Sequence, residues 1–263
     1  MDLSTRSDAE PTDLEAGDLL RRAAGFVYVD DLVAPRPSDD DTHHLLHVLR
    51  LRAGEVVIAA NGDGAFVPCV IREGSAGSRG NRRGEATSLE VLEVSGKVHT
   101  VWREPSRRVA FALPKGERAE WTVQKLTEIG IDDIVPLLSD RTVVRLSEGE
   151  APRRAERFRR IAREAGAQSR RLYLPVVEVP TTMEALLATL GDADGEISIA
   201  EPGGGPITSR MHTVLVGPEG GWSERELGVI PTRVGLGSGV LRTETAALVA
   251  ATLLVAARSG LLG

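Results

Sequence analysis

"TVLVGPEGGWSERE", Thr213 to Glu226, decides how this chain is read. Thr213 to Val216 form a short apolar run of the kind that makes a buried strand. The run stops at Gly217. A proline, a glutamate and two more glycines follow, and then Ser223 and Glu226 stand at capping-box spacing for a helix. Glycine admits positive φ and lets main-chain N–H groups approach a ligand, while Pro218 fixes its own φ and restrains Gly217. A glycine turn between a buried strand and a capped helix sits at a C-terminal strand end, where parallel sheets expose their ligand sites.

A second such turn follows at Leu236-Gly237-Ser238-Gly239, leading into "VLRTET", Val240 to Thr245. Neither turn suits a phosphate. "GPEGGWS" lacks the lysine of a P-loop, and "GLGSGV" is not Gly-x-Gly-x-x-Gly, with the chain ending before the acid of a dinucleotide fingerprint. The pair predicts a ligand held by backbone groups and carrying little negative charge. Two purely structural turns are the competing reading, which would be favoured for one isolated glycine cluster.

Outward from these turns, strands and helices alternate. "RRVAFALP", "DDIVPLL", "EISIAEP" and "RVGLGSG" read as strands. "ERAEWTVQKLTEIGI" reads as an amphipathic helix with Trp121, Leu126 and Ile129 on its core face and Gly130 as its stop. "RRAERFRRIAREAGAQS", "MEALLATL", "SERELGVI" and "ETAALVAATLLVAARSG" read as further helices. This predicts an α/β domain over residues 102–263, a mostly parallel sheet covered on both faces. Residues 23–101 read as a small β domain. It has a hairpin around Asn-Gly-Asp-Gly in "GEVVIAANGDGAFVPCVI" and strands in "FVYVDDLV" and "SLEVLEV". A helix in "DDTHHLLHVLRLRAG" is capped by Asp41 or Thr42 and ended by Gly54, and "GSAGSRGNRRG" is a flexible basic loop. Residues 1–22 read as a disordered acidic tail.

Hydrophobic residues make up 41 % and charged residues 27 % of the 263, as in ordinary globular proteins. One cysteine, Cys69, excludes an internal disulfide and a cysteine-rich metal site; it reads as buried and inert. No signal peptide or bilayer-length apolar run occurs, so a cytoplasmic protein without membrane partners is expected. His43, His44 and His47 have no acid or cysteine at zinc-ligand spacing and read as surface or RNA-facing, so no metal is expected. Net charge is −6, yet Arg141 to Arg171 holds ten arginines against four glutamates. Local charge sets where a polyanion lands. Arg153, Arg157, Arg160 and Arg163 recur at helical spacing and, with Arg170 and Arg171, predict an RNA track; a solvated helix paired to Glu156 and Glu164 is the alternative.

"LVGPEGGWSERE" with "LGSGVLRTETAALVA" resembles the ribosomal RNA small subunit methyltransferase E family of the SPOUT methyltransferases. "HHLLHVLRLRAGEVV", "LPKGERAEWTVQKLTEIGIDDIVPL" and "REAGAQSRR" resemble further family blocks, in the family's order from Phe26 to the end. The resemblance implies a trefoil-knotted C-terminal domain, a PUA-like N-terminal β-barrel domain, a homodimer, and transfer of methyl from S-adenosylmethionine to N3 of a uridine in small-subunit ribosomal RNA. It implies a cofactor pocket lined by Leu215, Gly217, Pro218, Glu219, Gly220, Leu236, Gly237, Val240, Leu241 and Thr243, with Ala200 and Glu201 as a third wall. Its PUA-like domain adds Arg50 and Arg52 to the RNA-facing residues, while Lys115, with Glu117 and Arg118, reads equally as RNA-facing or as a solvated helix start. In two places the chain departs from the family. Gly239 stands where an arginine is usual, leaving Arg242 as the nearby cation, and "GFVYVDD" replaces a basic opening strand.

Uridine N3 must lose a proton that is not very acidic, so the chemistry needs a base or a stabiliser of developing negative charge. Arg242 is the candidate stabiliser. Glu244 either orients Arg242, accepts the proton, or serves as a first-turn acid at a helix N-terminus. Thr243 and Thr245 are candidate caps or substrate contacts. Two other functions stay open: a SPOUT enzyme with another RNA target, and a non-catalytic RNA-binding assembly factor.

Overall fold

The computed structural model describes residues 11–72, 91–147, 149–191 and 195–262. The chain divides into two units, residues 1–103 with 170–173, and residues 104–169 with 174–263. The tail and the basic loop at 74–84 lie partly or wholly outside the described residues. Residues 11–22, expected as part of the tail, instead form a helix, α1 (Pro11–Arg22). Proline suits a first helical turn, and Asp18 pairs with Arg22 one turn on at 3.1 Å.

In the first unit β1 (Gly25–Tyr28) pairs parallel with β2 (Val56–Ala60), and β2 pairs antiparallel with β3 (Ala65–Ile71). β4 (Leu92–Val94) and β5 (His99–Thr100) both pair with β3. The predicted hairpin joins β2 to β3. Asn61 Oδ1 accepts the N–H groups of Asp63 and Ala65 at 2.9 and 3.1 Å, and Gly62 and Gly64 take positive φ. Alternate residues Val57, Ala59, Val67, Cys69 and Ile71 face one core. Burial pushes the Cys69 thiol up to about 11, consistent with an inert side chain. The short helix α2 (Asp39–His43) is capped by Ser38, not Asp41 or Thr42, and passes into a π-helical turn over His44–Val48 well before Gly54. Ser38 Oγ accepts the Asp41 N–H at 3.1 Å, which an acid at 41 inside the helix could not do.

Arg170–Tyr173 belongs to this unit. The Leu172 carbonyl accepts the Gly64 N–H at 3.0 Å, and the Tyr173 hydroxyl donates to the Val101 carbonyl at 2.6 Å. A Cβ on Gly64 would lie 2.2 Å from the Tyr173 ring, so the turn needs glycine for space as well as for its φ of 84°.

The second unit is the predicted parallel sheet. Its strands are β6 (Arg108–Ala112), β7 (Asp133–Leu137), β8 (Val176–Val177), β9 (Glu196–Gly205), β10 (Met211–Val216) and β11 (Arg233–Val234). They lie in the order β11-β9-β10-β6-β7-β8, and every pairing is parallel. On one face Val109 and Phe111 of β6 pack with α3 (Arg118–Ile129), α4 (Glu150–Gln168) and α7 (Thr243–Arg258) through Leu126, Phe158, Ala250 and Leu254. On the other, Ala110, Val135 and Leu215 pack with α5 (Met183–Thr189) and α6 (Glu224–Val229) through Met183, Leu186 and Leu227. Gly130 ends α3 at φ 112°, as predicted. Trp121, expected in the core, is 44 % exposed. The buried face of α3 is Ala119, Thr122, Val123, Leu126 and Thr127.

Candidate active site

Three strand ends of the second unit meet around one cavity. β9 contributes through an irregularity in its ladder. Arg233 pairs with Ile199 while the next residue, Val234, pairs with Gly205, so Ala200 to Gly204 leave the register. Gly204 and Gly235 cross so closely that a Cβ on Gly204 would lie 2.4 Å from the Val234 carbonyl carbon. β10 contributes the turn at Gly217 to Gly221, closed by the Gly221 N–H on the Pro218 carbonyl at 2.8 Å. Trp222 is buried behind it, its indole N–H reaching the Ala200 carbonyl at 3.4 Å. A Cβ on Gly217 would lie 2.9 Å from that ring. The Ser223–Glu226 capping box forms as predicted. Glu226 also accepts the Asp140 N–H at 3.0 Å. Asp140 is held below the usual carboxylate range by hydrogen bonds from Arg225 and Ser223.

The third wall is the loop after β11. Among the described residues, the main chain of Leu236 to Leu241 makes no backbone hydrogen bond. Its N–H and C=O groups are left for solvent or a ligand.

The cavity has a volume of about 160 Å³ and opens to solvent. Of the residues expected there, Ala200, Glu201, Gly217, Pro218 and Glu219 line it, as do Leu236, Gly237, Val240 and Leu241. Leu215, Gly220 and Thr243 do not. Leu215 is fully buried in the core beneath, since the strand alternation turns it away. The Gly220 carbonyl accepts from Arg141 at 2.8 Å, and the Thr243 hydroxyl donates to the Gly217 carbonyl at 3.0 Å. Thr243 therefore caps nothing, and the N-cap of α7 is Arg242, without a side-chain bond. Pro202, Val216, Gly221, Trp222, Gly239 and Ala246 also line the cavity. The sequence signal for most of them was adjacency to the glycines; Ala246 had none. The lining carries two carboxylates, Glu201 and Glu219, and no lysine or arginine.

Beside this cavity a second, more open depression is lined by Arg118, Trp121, Arg242, Glu244 and Thr245, and it shares Val240 and Leu241 with the first. Glu244 is buried at the start of α7. Its Oε1 lies 3.5 Å from the Arg118 guanidinium, and its Oε2 is buried without a hydrogen-bond partner. Arg118 also meets Glu219 at 3.0 Å. Arg242 is exposed and makes no ion pair or side-chain hydrogen bond among the described residues. Glu244 thus answers to Arg118 and not to Arg242, a pairing that sequence spacing did not indicate.

On α4, Arg153, Arg157, Arg160 and Arg163 are exposed. Arg157 forms a two-point pair with Glu120 at 2.8 Å, and Arg160 lies 3.9 Å from Glu164. Arg153 has no carboxylate within salt-bridge distance among the described residues. Lys115 is exposed before α3, while Arg50 and Arg52 are exposed in the first unit. Arg170 is half-buried, with its guanidinium on the Leu20 carbonyl, and the Arg171 carbonyl accepts the Tyr28 hydroxyl at 2.7 Å. Those two belong to the first unit, and the α4 row to the second.

Residues 103–255 match the family model of the RNA methyltransferase domain, and residues 37–78 that of the RNA methyltransferase PUA domain. The chain is 31 % identical over 234 residues to the ribosomal RNA small subunit methyltransferase E of Bacillus subtilis, covering 80 % of this chain and 85 % of that one. The chain belongs to the ribosomal RNA small subunit methyltransferase E family.

Two solved structures agree with this placement. A Legionella pneumophila protein in complex with the bound cofactor SAM is 27 % identical, with a TM-score of 0.71 over 88 % of this chain and 97 % of that one. The family's enzyme from Neisseria gonorrhoeae, bound to S-adenosyl methionine, shares the fold at 24 % identity, with a TM-score of 0.68 over 86 % of this chain and 94 % of that one. The cavity suits the same cofactor. A sulfonium nucleoside with an amino-acid tail carries positive centres and no phosphate, matching walls that hold two carboxylates, no cation and an unbonded main-chain loop.

Among the described residues, no helix is long and apolar enough to cross a membrane, and no cluster of three or more histidines, cysteines or acids could hold a metal ion.

Proposed function

We propose that this chain transfers a methyl group from S-adenosylmethionine to N3 of a uridine in small-subunit ribosomal RNA. The observation that carries the reading is the uncharged-to-acidic cavity at the ends of β9 and β10, in a chain of this family. S-adenosylmethionine supplies a methyl activated by its sulfonium. Glu201, Gly217, Glu219, Leu236, Gly237, Val240 and Leu241 hold it, the glycines by exposing main-chain groups. The depression alongside takes the acceptor base, and the shared Val240–Leu241 wall keeps donor and acceptor adjacent. Glu244 accepts the N3 proton at its unpartnered oxygen. Arg242, permanently charged, faces the negative charge that grows on the base.

The exposed arginines of α4, with Lys115, meet RNA phosphates, and Arg50 and Arg52 of the PUA unit add contacts to folded RNA. The trefoil knot is supported by the close crossing of Gly204 and Gly235 and by the Thr243–Gly217 bond. A homodimer, which the family resemblance implies, completes the reading. The site of action is the cytoplasm, where small subunits are made. The test is methylation of small ribosomal subunits from a strain lacking the gene, with the modified position mapped by primer extension. A reverse-transcription stop at one uridine is expected, and methyl incorporation at any other atom would reject the reading.

A further inference from the structure

Trp121 is out of place for a globular core. It lies on α3 three residues after Arg118, 44 % exposed, on a helix whose buried face is filled by Ala119, Thr122, Val123, Leu126 and Thr127. It lines the depression that Arg118, Arg242 and Glu244 also line. Exposing an indole costs hydrophobic free energy that the helix would recover by turning a small polar residue outward. The second anomaly is in the same depression. Glu244 is more than nine-tenths buried, and its Oε2 has no donor. An unpaired buried carboxylate oxygen is costly unless a ligand supplies the missing hydrogen.

One ligand answers both. An unstacked uracil is flat, so it lies against an indole face, and its N3–H is the sole donor that the base of a uridine carries. Cytosine has a lone pair at N3 instead, which repels a carboxylate oxygen held at that position, and its donor is the 4-amino group one atom away. We infer that Trp121 is the platform on which the acceptor base lies, and that Glu244 Oε2 selects uridine by taking its N3–H as a hydrogen-bond donor. The inference rests on the function proposed above and names residues that read the acceptor. Base-on-aromatic stacking tolerates any base, so the platform supplies affinity and the carboxylate supplies choice. Arg118 balances Glu219 and Glu244 together, holding the Glu244 side chain in place before RNA arrives.

The test compares wild type, Trp121→Ala and Trp121→Phe on small ribosomal subunits, with S-adenosylmethionine affinity measured separately by calorimetry. Trp121→Ala should lower kcat/KM by about 10- to 100-fold and leave cofactor affinity unchanged. Trp121→Phe should recover most of the loss. In a Trp102→Phe background, which removes the other exposed tryptophan, adding small-subunit rRNA should quench the Trp121 emission. Wild-type kcat/KM in Trp121→Ala overturns the platform. So does an equal loss of cofactor affinity, or a smaller mass in solution, which would make Trp121 a contact between two copies. Should wild type bind S-adenosylmethionine yet leave small-subunit rRNA unmethylated, the proposed function fails and this inference falls with it.

Discussion

The Thr243 hydroxyl donates to the Gly217 carbonyl across 3.0 Å, tying the first residue of α7 to the end of β10. That bond links the two glycine turns, which carry walls of the cavity. Thr243→Val keeps the shape and removes the donor. It should cost about 1 kcal/mol of stability in urea unfolding, and calorimetry should show S-adenosylmethionine bound several-fold more weakly. Thr243→Ser should restore both.

Gly217 has a separate constraint. Any side chain there meets the Trp222 ring at 2.9 Å. Gly217→Ala should destabilise by about 1–3 kcal/mol and displace the indole from the Ala200 carbonyl, widening the cavity. Thermal unfolding with and without cofactor measures both effects, and an unchanged cofactor-induced shift in Tm would count against this wall.

Arg242 is exposed and unpaired among the described residues, so removing it leaves no buried partner stranded. Arg242→Ala should leave folding and cofactor affinity near wild type while lowering kcat by about 100-fold, in line with the loss of one group that stabilises developing charge. Equal falls in kcat and cofactor affinity would assign it to the cofactor instead.

Arg153 makes no salt bridge among the described residues and Arg160 lies 3.9 Å from Glu164, whereas Arg157 is committed to Glu120. Arg153→Glu with Arg160→Glu should weaken rRNA binding and flatten the dependence of log K on log salt by about 1.5, as expected for two lost phosphate contacts. An unchanged slope would remove this helix face from the RNA path.

The Cys69 thiol, pushed up to about 11 by burial, stays protonated in the fold over a range where the unfolded chain, with its thiol near 9.0, releases the proton. The unfolded state binds fewer protons there, so stability falls as pH rises from about 9 to about 11, by up to roughly 3 kcal/mol. Urea midpoints across that range should drop less steeply for Cys69→Ala than for wild type. Parallel slopes would show that the thiol is not shielded.

The sheet, its parallel sense and both glycine turns were legible because apolar runs and glycines are local signals, and the Asn61–Gly64 hairpin likewise. Trp121 was misread for a physical reason. It is about 140° around the helix from Leu126, yet its size drew the core assignment, while two threonines disguised the true face. Thr122 and Thr127 bury their hydroxyls by donating to the Arg118 and Val123 carbonyls one turn back, at 2.7 and 2.9 Å, so a polar letter occupies an apolar position. In α1 the acidic composition outweighed Pro11 and the Asp18–Arg22 spacing. The link from Arg118 to Glu219 and Glu244 spans loops far apart in the chain, and no periodicity encodes it.

The Tyr173 ring fills the space beside Gly64, and the Leu172 carbonyl closes the same turn, although both residues follow α4 in the chain. A gene fragment stopping at residue 103 would encode a PUA unit with a hole at its hairpin. Shuffling this module onto another enzyme therefore takes two splices, and a lineage that keeps Gly64 but loses the aromatic at 173 has given up the plug that makes the module whole.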